Sequence, residues 1–541
     1  MGTSTIVVPR TYRSYPWKTG NSPRSYPQPA GLWLPETHFV PHKFPLEVVY
    51  PQPNAVVNSW ARHLWFYYDT GSGATFDQVI PMGMRGGAYP YNWYIMEAPP
   101  GCSIGTQYVA GGVGYGDLVV HPTGAFTNAL FWIRGIDQEG NYKDIMWTAS
   151  TTSSTTYFIF ANADTGSDTA AGTLSAPFQT LSHVYGATAG ASTFPGATLV
   201  LRGATASYAA YDQGSGDGIA LSGGANPVVV VAYANESPVI DLTNAGTING
   251  FNLYSTASDT FLQGITFKNG PSAALQFHLL KNANQNDRIT LHNLSAPDAY
   301  NGAGTTNENA GFVSFDDPGT DNYRQFIFFK GLSETNRTGG WGESLFGLYT
   351  NQHLLIEFCS SINCGTGGPV IKGSNADVTV RCHTQVMAAS GSWPGGEWPI
   401  NFFDQVQASS GLPNSNHEIC YCILDTSASG YAYSQGFNNL GTEGCGPSYS
   451  YRNSYLGPPD VNGTATGNGP FQYESDAIQW GSPFSQAVYA NKTAGALPAA
   501  VTNLNPECQA QSGIFTNPAG GDYSFQSAYS AFTGLRGAGI S

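Results

Sequence analysis

Residues 157–184, YFIFANADTGSDTAAGTLSAPFQTLSHV, are the stretch of this chain that says most about its fold. They open with an apolar, strand-like run and pass into a turn cluster in which small polar residues and glycine alternate. The cluster consists of Asn162, Asp164, Gly166 and Asp168. A capping stretch from Gly172 to Thr180 then leads into a short amphipathic helix. This order of signals predicts a strand, a tight turn and a short helix.

The segment resembles the N-terminal cap of a right-handed parallel β-helix, as found in bacterial polysaccharide lyases of the pectin-lyase-like class and in phage tailspikes. The resemblance implies that the strand starts the first rung of a solenoid. It also implies that the short helix, with Phe178 and Leu181, plugs the open end of the hydrophobic tube. These motifs are specific for the fold and carry little information about chemistry.

Strand-like segments recur beyond residue 156, at spacings of about one rung or one rung plus an inserted loop. They are FLQGITFKN (261–269), DRITLHN (287–293), QFIFFKG (325–331), HLLIEFC (353–359), DVTVRCH (377–383), HEICYCIL (417–424) and SYSYRNSY (448–455). The stretch IFTNPAGGDYSFQSAYSAFTGLRGAGIS resembles the closing coil of secreted bacterial β-helix proteins, with Phe525 in the place of a leucine. It implies a chain that ends with its solenoid and lacks a further trimerisation or receptor domain.

Alternation within two of these strands predicts which side chains face the core. The inward residues are expected to be Leu354, Ile356 and Phe358 in one rung and Val378, Val380 and Cys382 in the next. Because an unpaired buried charge costs several kcal/mol, Glu357 and Arg381 are expected to point outward and to pair as a surface ladder. The same alternation places Cys359 outside the core.

The region before the solenoid divides into two parts. Residues 1–44 are rich in proline, tyrosine, serine and arginine without an apolar period, which predicts an extended anchoring arm, or else a floppy tail. Residues 45–155 contain short alternating strands and two turn motifs. These are Gly86-Gly87-x-Tyr89-Pro90-Tyr91-x-Trp93 and Gly135-Ile136-Asp137-Gln138-x-Gly140. They resemble immunoglobulin- or cadherin-like modules of bacterial surface proteins, which implies a β-sandwich spacer.

The predicted architecture is therefore all-β, with an extended N-terminal arm (1–44), a β-sandwich module (45–155) and a right-handed parallel β-helix (156–541). Composition agrees, because charged residues are 11% of the 541, whereas glycine numbers 66 and aromatics reach 13%. The net charge of −15 is uneven. Residues 1–43 hold five basic groups and one acidic group, and the other 498 residues hold 16 basic and 35 acidic groups. Such an acidic body should repel nucleic acid and anionic membranes.

The N-terminus has no apolar run typical of a secretory signal, and no segment approaches the length of a transmembrane helix. Two explanations are open: a signal that has been removed, or another route of export, such as release from a lysed host as part of a virion. No membrane insertion is expected.

Cysteine and acidic residues point to no resident cofactor or metal. The eight cysteines fall at no zinc-ligand spacing, so most are expected to be buried or half-buried thiols, and Cys359 with Cys364 is the favoured disulfide alternative. Calcium at Asp137 or in the Asp316-Asp317-Pro318-Gly319-x-Asp321 loop is an alternative. Turn capping by aspartate explains both stretches more simply.

Two inserted loops combine tryptophan with carboxylates, as polysaccharide sites do. The first carries Trp341 and Glu343, and the second carries Trp393, Glu397 and Trp398 and is followed by Asp404. Tryptophan faces stack on sugar rings, and a pair of carboxylates at a suitable separation supplies acid and base or nucleophile. We therefore predict Trp341, Trp393 and Trp398 as carbohydrate-binding residues, and Glu343, Glu397 and Asp404 as candidate catalytic residues. The simpler alternative is that the tryptophans fold their own loops and the acids are solvated.

The sequence thus favours a virion-surface or extracellular structural or adhesive protein that binds host surface glycans, such as a phage tail spike, fibre or capsid decoration. The arm would bind a virion or surface-assembly protein, and homotrimers are expected. Without a recognisable catalytic cluster, binding is favoured over cleavage. The alternatives are a polysaccharide depolymerase of the tailspike type and a secreted bacterial lyase, although no lysine or arginine sits in a lyase motif.

Overall fold

Strands dominate this protein, and its computed structural model divides into two compact units, one ending at Tyr157 and the other beginning at Phe158. The structure describes residues 44–51, 65–89, 91–107, 117–189, 196–203, 205–209, 219–221, 227–242, 249–253, 258–269, 277–282, 284–297, 310–315, 322–336, 346–364, 370–372, 375–387, 403–404, 415–420, 422–425, 437–438, 448–451, 454–456, 471–474, 477–479, 515–517 and 522–525. Within these ranges the one helix is α1, Leu181–Ala189, so the all-β prediction is confirmed. None of the described helical structure is long and apolar enough to cross a membrane.

The N-terminal unit contains small, mostly antiparallel sheets. One three-stranded sheet joins Asn92–Glu97, Ala129–Ile136 and Tyr142–Ala149, with Ala129–Ile136 in the centre. A second joins Gln78–Ile80, Asp117–Pro122 and Cys102–Gln107. The remaining pairs are Glu47–Tyr50 with Gly83–Arg85, and Phe66–Tyr67 with Thr151–Thr152.

Aromatic side chains fill the core of this unit. Phe131 stacks on Trp147 with ring centroids 5.1 Å apart, and Phe66 lies 5.3 Å from Phe131. The two turn motifs of this region contact each other. Gly87 has φ +61°, and a Cβ at this position would approach Asp137 Oδ2 to 2.6 Å. Because this backbone conformation and this close approach both exclude a side chain, the Gly86-Gly87 pair is needed for the contact between the two turns.

The C-terminal unit is built on three long parallel sheets, here named A, B and C. Within the described residues, sheet A contains eleven strands: Phe158–Ala161, Thr198–Leu201, Val228–Ala232, Thr260–Gln263, Ile289–His292, Arg324–Lys330, Asn351–Glu357, Ala376–Arg381, Ser415–Cys420, Ser448–Tyr451 and Phe471–Glu474. Sheet B contains ten over the same ranges: Tyr208–Ala209, Val239–Asp241, Thr266–Lys268, Ser295–Pro297, Ser333–Thr335, Ser360–Cys364, Thr384–Met387, Ile423–Asp425, Ser454–Leu456 and Ala477–Gln479.

Sheet C contributes eight described strands: Ile219–Leu221, Asn249–Leu253, Phe277–Asn282, Ala310–Phe315, Phe346–Tyr349, Val370–Lys372, Phe403–Asp404 and Phe437–Asn438. From Thr198 to Asn438 the chain visits A, B and C in rotation, and each strand pairs in parallel with the next strand of its own sheet. Phe515–Asn517 and Asp522–Phe525 form a separate antiparallel pair.

Apolar side chains from all three sheets form one core cluster. Its members include Leu199, Val230 and Leu262 from sheet A, Ile240 and Phe267 from sheet B, and Phe251 and Leu253 from sheet C. Leu181, Val184 and Tyr185 of helix α1 belong to this cluster, and Phe178 packs against it. Thr180 caps the helix, since its Oγ1 accepts the His183 N–H at 3.1 Å.

A left-handed residue repeats where the chain turns from sheet A towards sheet B. The set with positive φ directly after successive sheet A strands is Gly264, Asn293, Gly331, Phe358 and Cys382. At each of these turns the strand alternation is interrupted, so the following side chain changes face. That following residue is buried in the core at Ile265, Leu294, Leu332 and Cys359. The corner therefore adds an inward column that an alternating strand pattern does not predict.

The corner corrects part of the predicted side-chain directions. Leu354, Ile356, Val378 and Val380 lie in the core as predicted. Phe358 was predicted to face inward and is only half-buried, because it adopts φ +55° and ends the alternation. Cys359 was predicted outside the core, but it is 1% exposed and belongs to the core cluster. Cys382, at the equivalent corner, is buried without belonging to that cluster.

Candidate functional site

Of the six predicted site residues, the structure describes only Asp404, in its backbone. Trp341, Glu343, Trp393, Glu397 and Trp398 lie outside the described residues. Asp404 ends the sheet C strand Phe403–Asp404, where its backbone register aligns with Lys372 on one side and Asn438 on the other. The calcium alternative at residues 316–321 also falls outside the described ranges.

The strands that flank the two tryptophan loops are described, and they place the loops in the topology. The first loop leaves sheet B at Ser333–Thr335 and reaches sheet C at Phe346–Tyr349. The second leaves sheet B at Thr384–Met387 and reaches sheet C at Phe403–Asp404. Both sheet C strands pair with the same intervening strand, Val370–Lys372. Strands two apart in a sheet are separated by about 10 Å. Both loops therefore enter sheet C within one short stretch, at the N-terminal ends of its strands.

A second polar feature runs along sheet A. Its burial was not predicted from the sequence. One register column contains Gln263, His292, Lys330, Glu357 and Arg381 on successive strands. Gln263 Nε2 lies 2.6 Å from His292 Nδ1. Glu357 accepts from Arg381 Nη2 at 2.6 Å, and its other oxygen lies 3.5 Å from Lys330 Nζ. We name this set the sheet A ladder.

The pairing of Glu357 with Arg381 confirms one half of the prediction, and its location contradicts the other half. The two residues are 3% and 1% exposed, so they do not form a surface ladder. Phe328 and Leu355, on the neighbouring column of the same face, are fully buried as well. Burial is tolerated because each charge has an opposite charge within ion-pair distance. Within the ladder, Gln263 contacts His292, and Lys330, Glu357 and Arg381 form a charge-paired group. This pairing suits a structural role better than proton transfer to a substrate.

His383 is a buried polar group that follows Cys382 at the sheet A corner, one strand beyond Cys359. It is 0% exposed, and its ring lies near the Gln385 side chain and the Cys359 backbone, although neither ring nitrogen makes a well-formed hydrogen bond with a described residue. Burial lowers the pKa of His383 to about 4. The imidazole is therefore neutral at physiological pH.

Leucine occupies the same column at Leu332, two sheet A strands before His383. Replacing His383 by leucine is expected to raise the free energy of unfolding at pH 7 by about 1–3 kcal/mol, since a buried imidazole without a well-formed hydrogen bond is removed. The wild type should also lose about 3 kcal/mol as pH falls from 6.5 towards 4, because in that window the unfolded histidine binds a proton that the folded one does not. Urea unfolding at pH 7 and at pH 4.5 measures both effects. Equal acid sensitivity of His383→Leu and wild type would contradict this account.

Metal binding finds no support in the described part of the chain. No group of three or more histidine, cysteine or acidic side chains there could hold a metal ion. Asp137 instead caps its turn: its carboxylate accepts the backbone N–H groups of Ala88, Glu139 and Asn141 at 2.8–3.0 Å.

The described cysteines are free thiols, and all except Cys102 are buried, as predicted for most of them. Cys359 and Cys364, the favoured disulfide alternative, are both among these free thiols, so that alternative is wrong. Burial raises the pKa of Cys102 to about 11 and that of Cys359 further. Thiolate chemistry at neutral pH is thereby disfavoured at both positions.

Comparison with known proteins gives no family for this chain. No protein-family model matches it, and no curated protein matches it significantly.

Proposed function

We propose that the C-terminal unit is a right-handed parallel β-helix in which sheets A, B and C are the three faces of each rung. The rotation of the chain through the three sheets supports this, as does the single apolar cluster that draws residues from all of them. Handedness follows from the general rule that crossovers between parallel strands of one sheet are right-handed.

On this fold, we propose that the protein is a virion-surface or extracellular structural protein that binds host surface glycans. The observation that carries this proposal is that both tryptophan loops connect sheet B to sheet C and join sheet C at strands two apart. A solenoid projects loops of the same connection type along one side, where they can line a groove. Trp341, Trp393 and Trp398 would then stack on successive sugar rings in that groove.

The rival function is a polysaccharide depolymerase of the tailspike type. It is favoured by the position of Asp404, which directly follows the second tryptophan loop on a sheet C strand. Together with Glu343 and Glu397, this residue would bring three carboxyl groups to the same edge. A glycosidase needs two carboxyl groups about 5–10 Å apart.

The two functions separate in one assay. Purified protein is passed over immobilised host surface polysaccharide, and the eluate is tested for new reducing ends and for unsaturated uronate absorbance. Retention without either product supports glycan binding, and product release supports the depolymerase. If the protein neither binds nor cleaves the host surface polysaccharide, both proposed functions are wrong.

The arm is proposed to bind a partner in the parent assembly, since its five basic groups and one acidic group contrast with the acidic body. Deleting residues 1–43 is expected to leave the melting temperature within a few degrees, because these residues carry no periodic apolar pattern that could form a core, and to abolish incorporation into the assembly. Sedimentation with assembled particles measures incorporation, and full-length protein serves as the reference. Unimpaired assembly of the truncated chain would show that the arm is only a tail.

Both the full-length and the truncated protein are expected to be trimers in solution.

A further inference from the structure

Three large apolar side chains are exposed in the described part of the chain, and all three lie on the three-stranded sheet built around Ala129–Ile136. Tyr94 is 39% exposed, Tyr142 45% and Met146 53%. The register places Tyr94 opposite Arg134 and places Met146 opposite Trp132 on the central strand. Since Phe131, Ile133 and Ile145 of the same sheet are buried, the exposed set occupies the opposite face. We name Tyr94, Trp132, Arg134, Tyr142 and Met146 the platform.

The platform is held in place by a hydrogen-bonded network. Arg134 donates to both oxygens of Asp144, from Nε and Nη2, each at 2.6 Å. Trp132 Nε1 donates to the same carboxylate at 3.0 Å. The Arg134 guanidinium also lies over the Tyr142 ring at 4.1 Å and the Trp132 ring at 5.6 Å. Partial burial of Asp144 opposes ionisation, but the hydrogen bonds from Arg134 and Trp132 outweigh it and lower the pKa of Asp144.

A pre-ordered surface of tyrosine, tryptophan, arginine and methionine has the composition of a protein-binding site rather than of an ordinary solvated sheet face. Sugar recognition would require polar groups available to hydroxyls. Here both Asp144 oxygens already accept from Arg134, and one also accepts from Trp132. Met146, the most exposed member, is a flexible apolar side chain suited to packing against a peptide.

We propose that the platform binds residues 1–43 of the same chain, and this inference does not rest on glycan binding. Seven of these 43 residues are proline, and the triplet Ser-Tyr-Pro occurs at residues 14–16 and again at 25–27. Proline-rich segments adopt extended helices that dock on surfaces of tyrosine and tryptophan rings at low entropic cost. Charge is complementary too: residues 44–157 hold eight acidic and four basic groups, against one acidic and five basic groups in residues 1–43.

The start of the described chain is close to one end of the platform. The carbonyl of Phe44 accepts the Gly87 N–H at 2.9 Å, and the next residue, Ala88, donates to Asp137 at 3.0 Å. Asp137 directly follows the strand Ala129–Ile136, whose last residue pairs with Tyr142. Residues 1–43 therefore attach to the unit within a few residues of the platform and can reach it without a long linker.

Limited trypsin digestion tests the proposal, because all five basic residues of the segment, Arg10, Arg13, Lys18, Arg24 and Lys43, are cleavage sites. In the full-length chain, Tyr94→Ser combined with Tyr142→Ser should accelerate cleavage within residues 1–43 by at least about fivefold, since two aromatic contacts are removed. Replacing Pro16, Pro23, Pro27 and Pro29 by serine should accelerate it similarly. Lys143→Gln, at an exposed neighbour of Tyr142, is the matched control and should leave the rate unchanged.

Unchanged cleavage in both the platform variant and the proline variant would overturn the proposal, provided that melting temperatures show both to be folded. Two other results would overturn it by naming a different occupant. If the platform variant loses retention on polysaccharide at an unchanged cleavage rate, the surface binds glycan. If it loses oligomeric mass by light scattering at an unchanged rate, the surface binds a second copy of the chain. Because the digestion uses neither particles nor polysaccharide, its failure leaves the proposed anchoring and glycan binding untouched.

Discussion

Replacing Glu357 by glutamine is expected to lower the free energy of unfolding by about 3–5 kcal/mol. Glu357 is the carboxylate between two cations of the sheet A ladder, 2.6 Å from Arg381 Nη2 and 3.5 Å from Lys330 Nζ. All three side chains are at most 4% exposed. The substitution keeps the size of the side chain but removes its charge, so Lys330 and Arg381 each lose an ion pair. Urea unfolding followed by circular dichroism measures the loss.

Asp241→Asn is the matched control for this prediction. Asp241 also pairs with a lysine of the next rung, Lys268, at 3.5 Å, but the two side chains are 28% and 40% exposed. Solvated pairs contribute less than about 1 kcal/mol, so this variant should unfold almost as the wild type does. A loss for Glu357→Gln as small as that for Asp241→Asn would show that the ladder is hydrated and that its charges need no partner.

The apolar strands of the C-terminal unit could be predicted from the sequence because their pattern is local. Leu354, Ile356, Val378 and Val380 stand at alternate positions in their strands, and all four lie in the core. Alternation fails at the corner after each strand, where Phe358 and Cys382 adopt positive φ. The available signal was the preceding rungs, since Asn293 and Gly331 at the same corner are residues that favour this conformation.

Burial of the sheet A ladder could not be predicted in the same way. The sequence places a polar or charged residue at the end of each of the five strands that carry the ladder, and solvent exposure is the ordinary expectation for lysine, glutamate and arginine. Only the register brings Lys330, Glu357 and Arg381 into one column, and register depends on the length of every intervening loop. For the predicted glycan-binding residues, the location can be predicted but the geometry cannot. Their loops are recognisable by composition, whereas the distances between their side chains are not encoded in any local pattern.

The last prediction concerns those loops. Under the binding function, Trp393→Ala or Trp398→Ala is expected to weaken retention on the cognate polysaccharide by about 1–3 kcal/mol, because a large flat apolar surface that stacks on a sugar ring is removed. Affinity chromatography or calorimetry with defined oligosaccharides measures the change. No reducing ends or unsaturated uronate should appear with wild-type protein or with either variant.

Under the depolymerase function, Glu397→Gln or Asp404→Asn should instead reduce cleavage by at least about 10²-fold and leave retention nearly unchanged, since a general acid or base contributes on that scale to the reaction and little to binding. Glu236→Gln is the matched control, because that carboxylate is already engaged by Arg202 at 2.7 Å and by the Gly203 N–H at 2.6 Å. The pattern of losses identifies the function: tryptophan variants affect retention in both cases, and carboxylate variants affect turnover only if the protein is an enzyme. Cleavage that persists in these two variants and in Glu343→Gln would place the catalytic groups away from the region where the two loops join sheet C.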